Sequence, residues 1–267
     1  MIQIFNANFN QQTYSPLKRN KTVYKTSVFK NDTFESSRNI SFRGLEKLFV
    51  ISPDFSKPIP QIEVLSGVSN DFASKVTKQV HKFPIRWLQK FKDNNYKIIL
   101  SPTFSDAYKS QKVFDPSVEM FERQNPKGTL GVTYSEGKSG KNFFVFCDKP
   151  PYSNIFMPSI VNHELSHGVV NIKELDKNSK TLELIKKDVG LIIQERKLDE
   201  LTPAERKMVS HYFFNNNAYL PIDEIIADMY AWNQGVGCYG SGLVMNVQNP
   251  NLMKNLFPNL SRYLKTI

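Results

Sequence analysis

Apolar residues first recur at helical spacing between residues 71 and 94, where Phe72, Val76, Val80, Phe83 and Trp87 return at three- and four-residue steps. That spacing puts them on one face and predicts a long amphipathic helix. Pro84 falls inside it. A proline removes a helical hydrogen bond and crowds the preceding turn, so the helix should kink or divide there. The pattern then shortens. Tyr96-Lys97-Ile98-Ile99-Leu100 reads as a strand ending at Pro102. Residues 103–128 read as irregular, with a short helix around residues 118–123. Residues 130–134 and 142–147 read as a strand pair, and the intervening 135–141, with Gly137 and Gly140, suits a hairpin loop.

Helical patterning returns after Pro158 and Ser159, which supply a start signal. Ile160, Val161, Leu165, Val169 and Val170 then surround a polar centre. An amphipathic stretch covers residues 182–198. Thr202-Pro203-Ala204-Glu205 opens another helix, with a threonine cap, a proline at the first position and a glutamate three residues on. Ile222, Ile225, Ile226 and Met229 mark a further helix. The last one, over residues 251–263, should break near Pro258. The expected class is therefore α+β: a small mixed sheet, then a mostly helical C-terminal part. No internal repeat is visible.

Composition divides the chain. Residues 1–44 are rich in Asn, Ser, Thr and Lys and hold no persistent period, so they read as a disordered basic arm, with one domain over 45–267. The apolar fraction of 40% suits a folded core. The net charge is +10, but residues 1–45 carry seven basic and two acidic residues, about half of it. Aromatics interleave with Lys and Arg in that arm, as in some single-strand binders. No nucleic-acid fold follows, so nucleic acid is not the expected partner. Cys147 and Cys238 are too few for a disulfide framework, and Cys147 reads as a core residue. No apolar run approaches the roughly 20 residues of a membrane span, and the N-terminus lacks the charged start and apolar run of a signal peptide. The expectation is a cytoplasmic chain, or one exported by an unrecognised route.

The candidate chemistry lies in His163-Glu164-Leu165-Ser166-His167. This is H-E-x-x-H. Residues four apart share a helix face, so both imidazoles can reach one ion, while Glu164 stands beside it as a general base for a zinc-activated water. The alternative is a surface helix with two solvated histidines. Its apolar surroundings argue for burial, where histidines need partners. A catalytic zinc takes three protein ligands. Val170 and Lys173 stand where an extended motif would place a glycine and a third histidine, so the third ligand must be distant. Glu224 is the choice: Glu224, Ala227, Asp228 and Ala231 share one face, and the alanines permit close helix approach. Asp228 would accept a hydrogen bond from the far nitrogen of a ligating histidine. The plainer alternative for the pair is a solvated acidic face. Glu195 and Glu205 lie among lysines and arginines and read as solvent-facing, and His81 and His211 as structural or surface residues.

H-E-x-x-H followed far downstream by Glu224-Ile225-Ile226-Ala227-Asp228 resembles the glutamate-zincins, and within them the anthrax lethal factor-like and Pro-Pro endopeptidase family. The resemblance covers roughly residues 45–267. It implies a zincin-like metallopeptidase domain with one zinc per chain on His163, His167 and Glu224. It also implies a peptide or protein substrate, paired by its backbone with an edge strand, for which residues 130–134 are favoured. The chain departs from that pattern in a longer interval between His167 and Glu224, read as an inserted helical pair. Asn217 occupies the spacing expected for an oxyanion-donating tyrosine. Tyr219 is the candidate donor, with Tyr212 and His211 as alternatives. The competing readings are a catalytically silent zinc-fold binding module and a basic nucleic-acid-binding protein.

Overall fold

A computed structural model describes residues 59–114, 118, 131–137, 140–148, 157–203, 205, 206, 209, 221–234 and 251–267. The basic arm at 1–44 lies outside the described residues. Where a periodic helix was expected over 71–94, the chain forms α1 (Asn70–Val80) and α2 (Ile85–Asp93), divided at Pro84. Ser69 caps α1 by accepting from Phe72 N. The apolar faces of both helices are buried, with Val80, Trp87 and Phe91 at 0% exposure.

Among the described residues four strands form one sheet, in the order β1-β2-β4-β3. They are β1 (Gln61–Val64), β2 (Tyr96–Ser101), β3 (Gly131–Ser135) and β4 (Asn142–Cys147). β1, β2 and β4 run parallel, whereas β3 runs antiparallel to β4. Among the described residues β3 is thus an edge strand, antiparallel to β4 as expected of a hairpin. The sequence reading missed β1. Four residues carry only two turns of alternation, too few for a period to stand out. α3 (Phe104–Ser110) corrects the irregular reading of the segment after Pro102. Its signal is a cap: Thr103 Oγ1 accepts from Asp106 N at 3.0 Å and donates to the Asp106 carboxylate at 2.7 Å. Of the short helix expected at 118–123, only Val118 is described; it is helical and buried.

The sheet separates two apolar layers. Ile99, Val132, Tyr134, Phe143, Val145 and Cys147 pack with Phe104, Ala107 and Tyr108 of α3. On the opposite face Ile62, Ile98, Leu100, Phe144 and Phe146 belong to the larger core, shared with α1 and α2. That core also takes in α4 (Met157–Lys173) and α6 (Ile222–Asn233). α4 lies close on the sheet because Gly168 has no side chain. A Cβ there would stand 2.6 Å from Phe144 Cζ and 2.7 Å from Phe91 Cε1.

Three further helices contribute to this core. They are α5 (Ser179–Gln194), α7 (Leu252–Leu256) and α8 (Pro258–Leu264). The expected break at Pro258 separates α7 from α8. Buried Asp188 of α5 accepts from Asn259 N, Asn259 Nδ2 and Leu260 N at 3.2, 2.6 and 2.9 Å, tying α5 to the start of α8. The capping box at Thr202 is present: Glu205 N donates to Thr202 Oγ1 at 3.3 Å and Thr202 N to Glu205 Oε2 at 2.9 Å. The architecture is α+β, a small mixed sheet with mostly helical content. Among the described residues no helix is long and apolar enough to cross a membrane.

Candidate metal centre

The two histidines and the glutamate of the motif on α4 do not face solvent. His163, Glu164 and His167 are 3%, 1% and 0% exposed. Such burial demands partners, and α6 supplies them. His163 Nε2 lies 3.2 Å from Glu224 Oε2, and His167 Nε2 lies 3.5 Å from Glu224 Oε1. The two Nε2 atoms are 3.0 Å apart. Three donor atoms from two helices thus converge on one point, a grouping that could hold a metal ion. The Glu224 side chain keeps 13% exposure against 4% and 1% for the histidines, so it is the least buried of the three.

The two helices meet here for a local reason. Ala227 and Ala231, one and two turns beyond Glu224, are fully buried and let α6 approach α4 closely. Asp228, 1% exposed, accepts from His163 Nδ1 at 2.6 Å. With its proton on Nδ1, His163 presents Nε2 as a lone pair toward the cluster.

Burial alone would raise the Glu224 carboxyl, but the charges and hydrogen bonds of His167 and His163 outweigh it and hold the carboxyl well below its ordinary range. His167 shows the reciprocal effect. Burial lowers its pKa, the pull of Glu224 raises it, and the net shift is upward. Glu164 behaves differently: burial dominates and pushes it up, against the opposing pull of His163 and His167.

Glu164 is held by β3. Thr133 Oγ1, fully buried, lies 2.8 Å from Glu164 Oε2 and 2.9 Å from the Glu164 carbonyl oxygen. Two residues earlier on the same strand face, Gly131 leaves the room that the Glu164 side chain occupies. Glu164 Oε1 is buried and has no hydrogen-bond partner among the described residues. The sequence reading missed Thr133 and Gly131. Their signal is the period-two pattern of β3: Val132 and Tyr134 face the α3 layer, leaving a small and a polar residue on the opposite face.

The structure therefore brings together His163, Glu164, His167, Glu224 and Asp228. Tyr219, Tyr212, His211 and Asn217 lie outside the described residues. His81 is half-buried at the C-cap of α1 and is not one of the cluster's three residues. Glu195 pairs with Lys197 at the surface, and Glu205 is spent on its capping box. No protein-family model matches this sequence, and no curated protein matches it.

Proposed function

We propose that this chain is a single-zinc metalloendopeptidase with a zincin-like domain, its ligands His163, His167 and Glu224. The supporting observation is the convergence of two imidazole nitrogens, 3.0 Å apart, on the two oxygens of the Glu224 carboxylate at 3.2 and 3.5 Å, beside a buried Glu164 carboxylate with one uncommitted oxygen. Ligand bonds of about 2.0–2.1 Å in a tetrahedral shell put donors roughly 3.3–3.4 Å apart, so this spacing suits zinc. The set of two imidazoles and one carboxylate is also a zinc set that keeps a position open.

A zinc held there would acidify a bound water and polarise the scissile carbonyl. The chain's own groups do the rest. Asp228 fixes the His163 tautomer. Glu164 serves as general base, taking a proton at Oε1 and delivering it to the departing amine. Its burial favours proton acceptance, since burial raises its pKa. The open edge of β3 would pair with the backbone of an extended substrate. The orphaned oxygen of Glu164 argues against a silent binding module, which has no use for a buried carboxylate of this kind. Tyr219 stays the candidate oxyanion donor.

The test is metal content by mass spectrometry of the purified protein, then cleavage of a diverse peptide library with and without a chelator. One zinc per chain and chelator-sensitive cleavage are expected. Glu164→Gln should keep the zinc and lose roughly 10²- to 10⁴-fold in rate. A metal-free protein that takes up no zinc, or a Glu164→Gln variant of full activity, would remove this reading.

A further inference from the structure

We infer that Thr133 is a positioning residue that selects which oxygen of Glu164 works as the base. The inference rests on the reading of Glu164 as general base and adds a residue from a different part of the fold. A carboxylate has two oxygens and a flexible stem, and a base delivers its effect only when its accepting oxygen points at the reacting proton. Two features of β3 constrain Glu164. Thr133 Oγ1 sits 2.8 Å from Oε2, which occupies that oxygen. Gly131 leaves a slot for the stem, since a Cβ there would stand 2.7 Å from Glu164 Cγ and 2.9 Å from Ile160 Cγ2. The other oxygen, Oε1, is left buried and without a partner among the described residues.

The arrangement is costly unless it is used. A buried carboxylate oxygen without a donor loses its hydration and gains nothing in the folded protein. Thr133 could bond the helix carbonyl of Glu164 alone, at 2.9 Å, and leave the carboxylate free to rotate. Instead its oxygen stands within reach of both acceptors, so its single proton is shared between the carboxylate and the backbone carbonyl of Glu164 and holds the side chain beside its own backbone. Because β3 is also the sheet edge, the strand proposed to align the substrate would set the angle of the base as well.

Two pairs of variants isolate the hydroxyl. Thr133→Val keeps the shape and removes the donor. Thr133→Ser and Thr133→Ala both lose the methyl and differ only in the hydroxyl. Kinetics on a cleaved peptide, zinc content, and calorimetric affinity for a peptide hydroxamate are measured for each. The expected result is a kcat lower by on the order of 10- to 100-fold in Thr133→Val and Thr133→Ala, a size typical of a misplaced catalytic group. KM and zinc content should stay near the parent's. Thr133→Ser should keep the parent's kcat within a few-fold. Hydroxamate affinity, which depends on the base accepting a proton, should fall in the Val and Ala variants and hold in Ser. Equal rates in Ser and Ala, or a Val variant as fast as the parent, overturn the inference while leaving the peptidase reading intact. A parent that neither binds zinc nor cleaves peptide overturns both.

Discussion

His163 Nδ1 donates to Asp228 Oδ1 across 2.6 Å, and both side chains are buried. The bond joins α4 to α6 one turn beyond Glu224, so the residue that fixes the His163 ring comes from the same helix that supplies the carboxylate ligand. Asp228→Asn keeps the volume and weakens the acceptor. Partners of this kind typically contribute 10- to 100-fold in metal affinity. The variant is expected to fold and to bind zinc 10- to 100-fold more weakly, as read by competition with a chelating dye. Unchanged affinity would show that the tautomer of His163 is set by something else.

Glu224→Gln removes the ligand carboxylate and should weaken zinc binding by more than about 100-fold, beyond the range of an outer contact. Glu195→Gln, at an exposed position, and Glu205→Gln, at a half-buried one, both outside the cluster, should retain one zinc per chain. The comparison is made by metal analysis after dialysis. Loss of zinc from either control with retention in Glu224→Gln would move the third ligand elsewhere.

The metal-free protein should carry a pH signature of Glu164. Burial raises its pKa above the ordinary 4.5. A raised acid contributes stability below pH 4.5, and that contribution is lost as pH rises through its folded-state value. Glu164→Gln imitates the protonated form at every pH. Metal-free Glu164→Gln should therefore melt above the metal-free parent at pH 7, and the gap should close as pH falls toward 4.5. Thermal melts across that range check it, and a gap that does not change with pH would contradict burial as the cause.

Gly168 tests how closely α4 lies on the sheet. Alanine is the better helix former by about 1 kcal/mol, but overpacking a core costs about 1–3 kcal/mol. Ring carbons of Phe144 and Phe91 would lie 2.6 and 2.7 Å from the new Cβ, and both rings are buried in the core. The clash should win, and Gly168→Ala should lower Tm by several degrees. A rise in Tm would mean that the helix sits farther from the sheet.

The sequence by itself determined the elements and the chemistry that short range dictates. The helical spacing of Phe72 to Trp87, the divide at Pro84, the hairpin around Gly137 and Gly140, and the break at Pro258 are all local, because period, proline and turn residues act over a few positions. The same holds for His163, Glu164 and His167, whose common face follows from 3.6 residues per turn. Glu224 and Asp228 were legible only as a pattern on another helix. Their meeting with His163 depends on how α4 packs on α6, a contact between residues more than 50 positions apart in the chain.

Tertiary structure alone decided what a short strand or a neighbouring face contributes. β1 is four residues long and gains its place from pairing with β2, which no local period encodes. α3, by contrast, carries a local signal, the cap of Thr103 on Asp106, which the weak apolar pattern around it obscures. Thr133 and Gly131 are ordinary strand residues until register with β4 turns them toward α4, where one grips the Glu164 carboxylate and the other makes room for it. Side-chain period specifies which residues share a face; only packing specifies what that face meets.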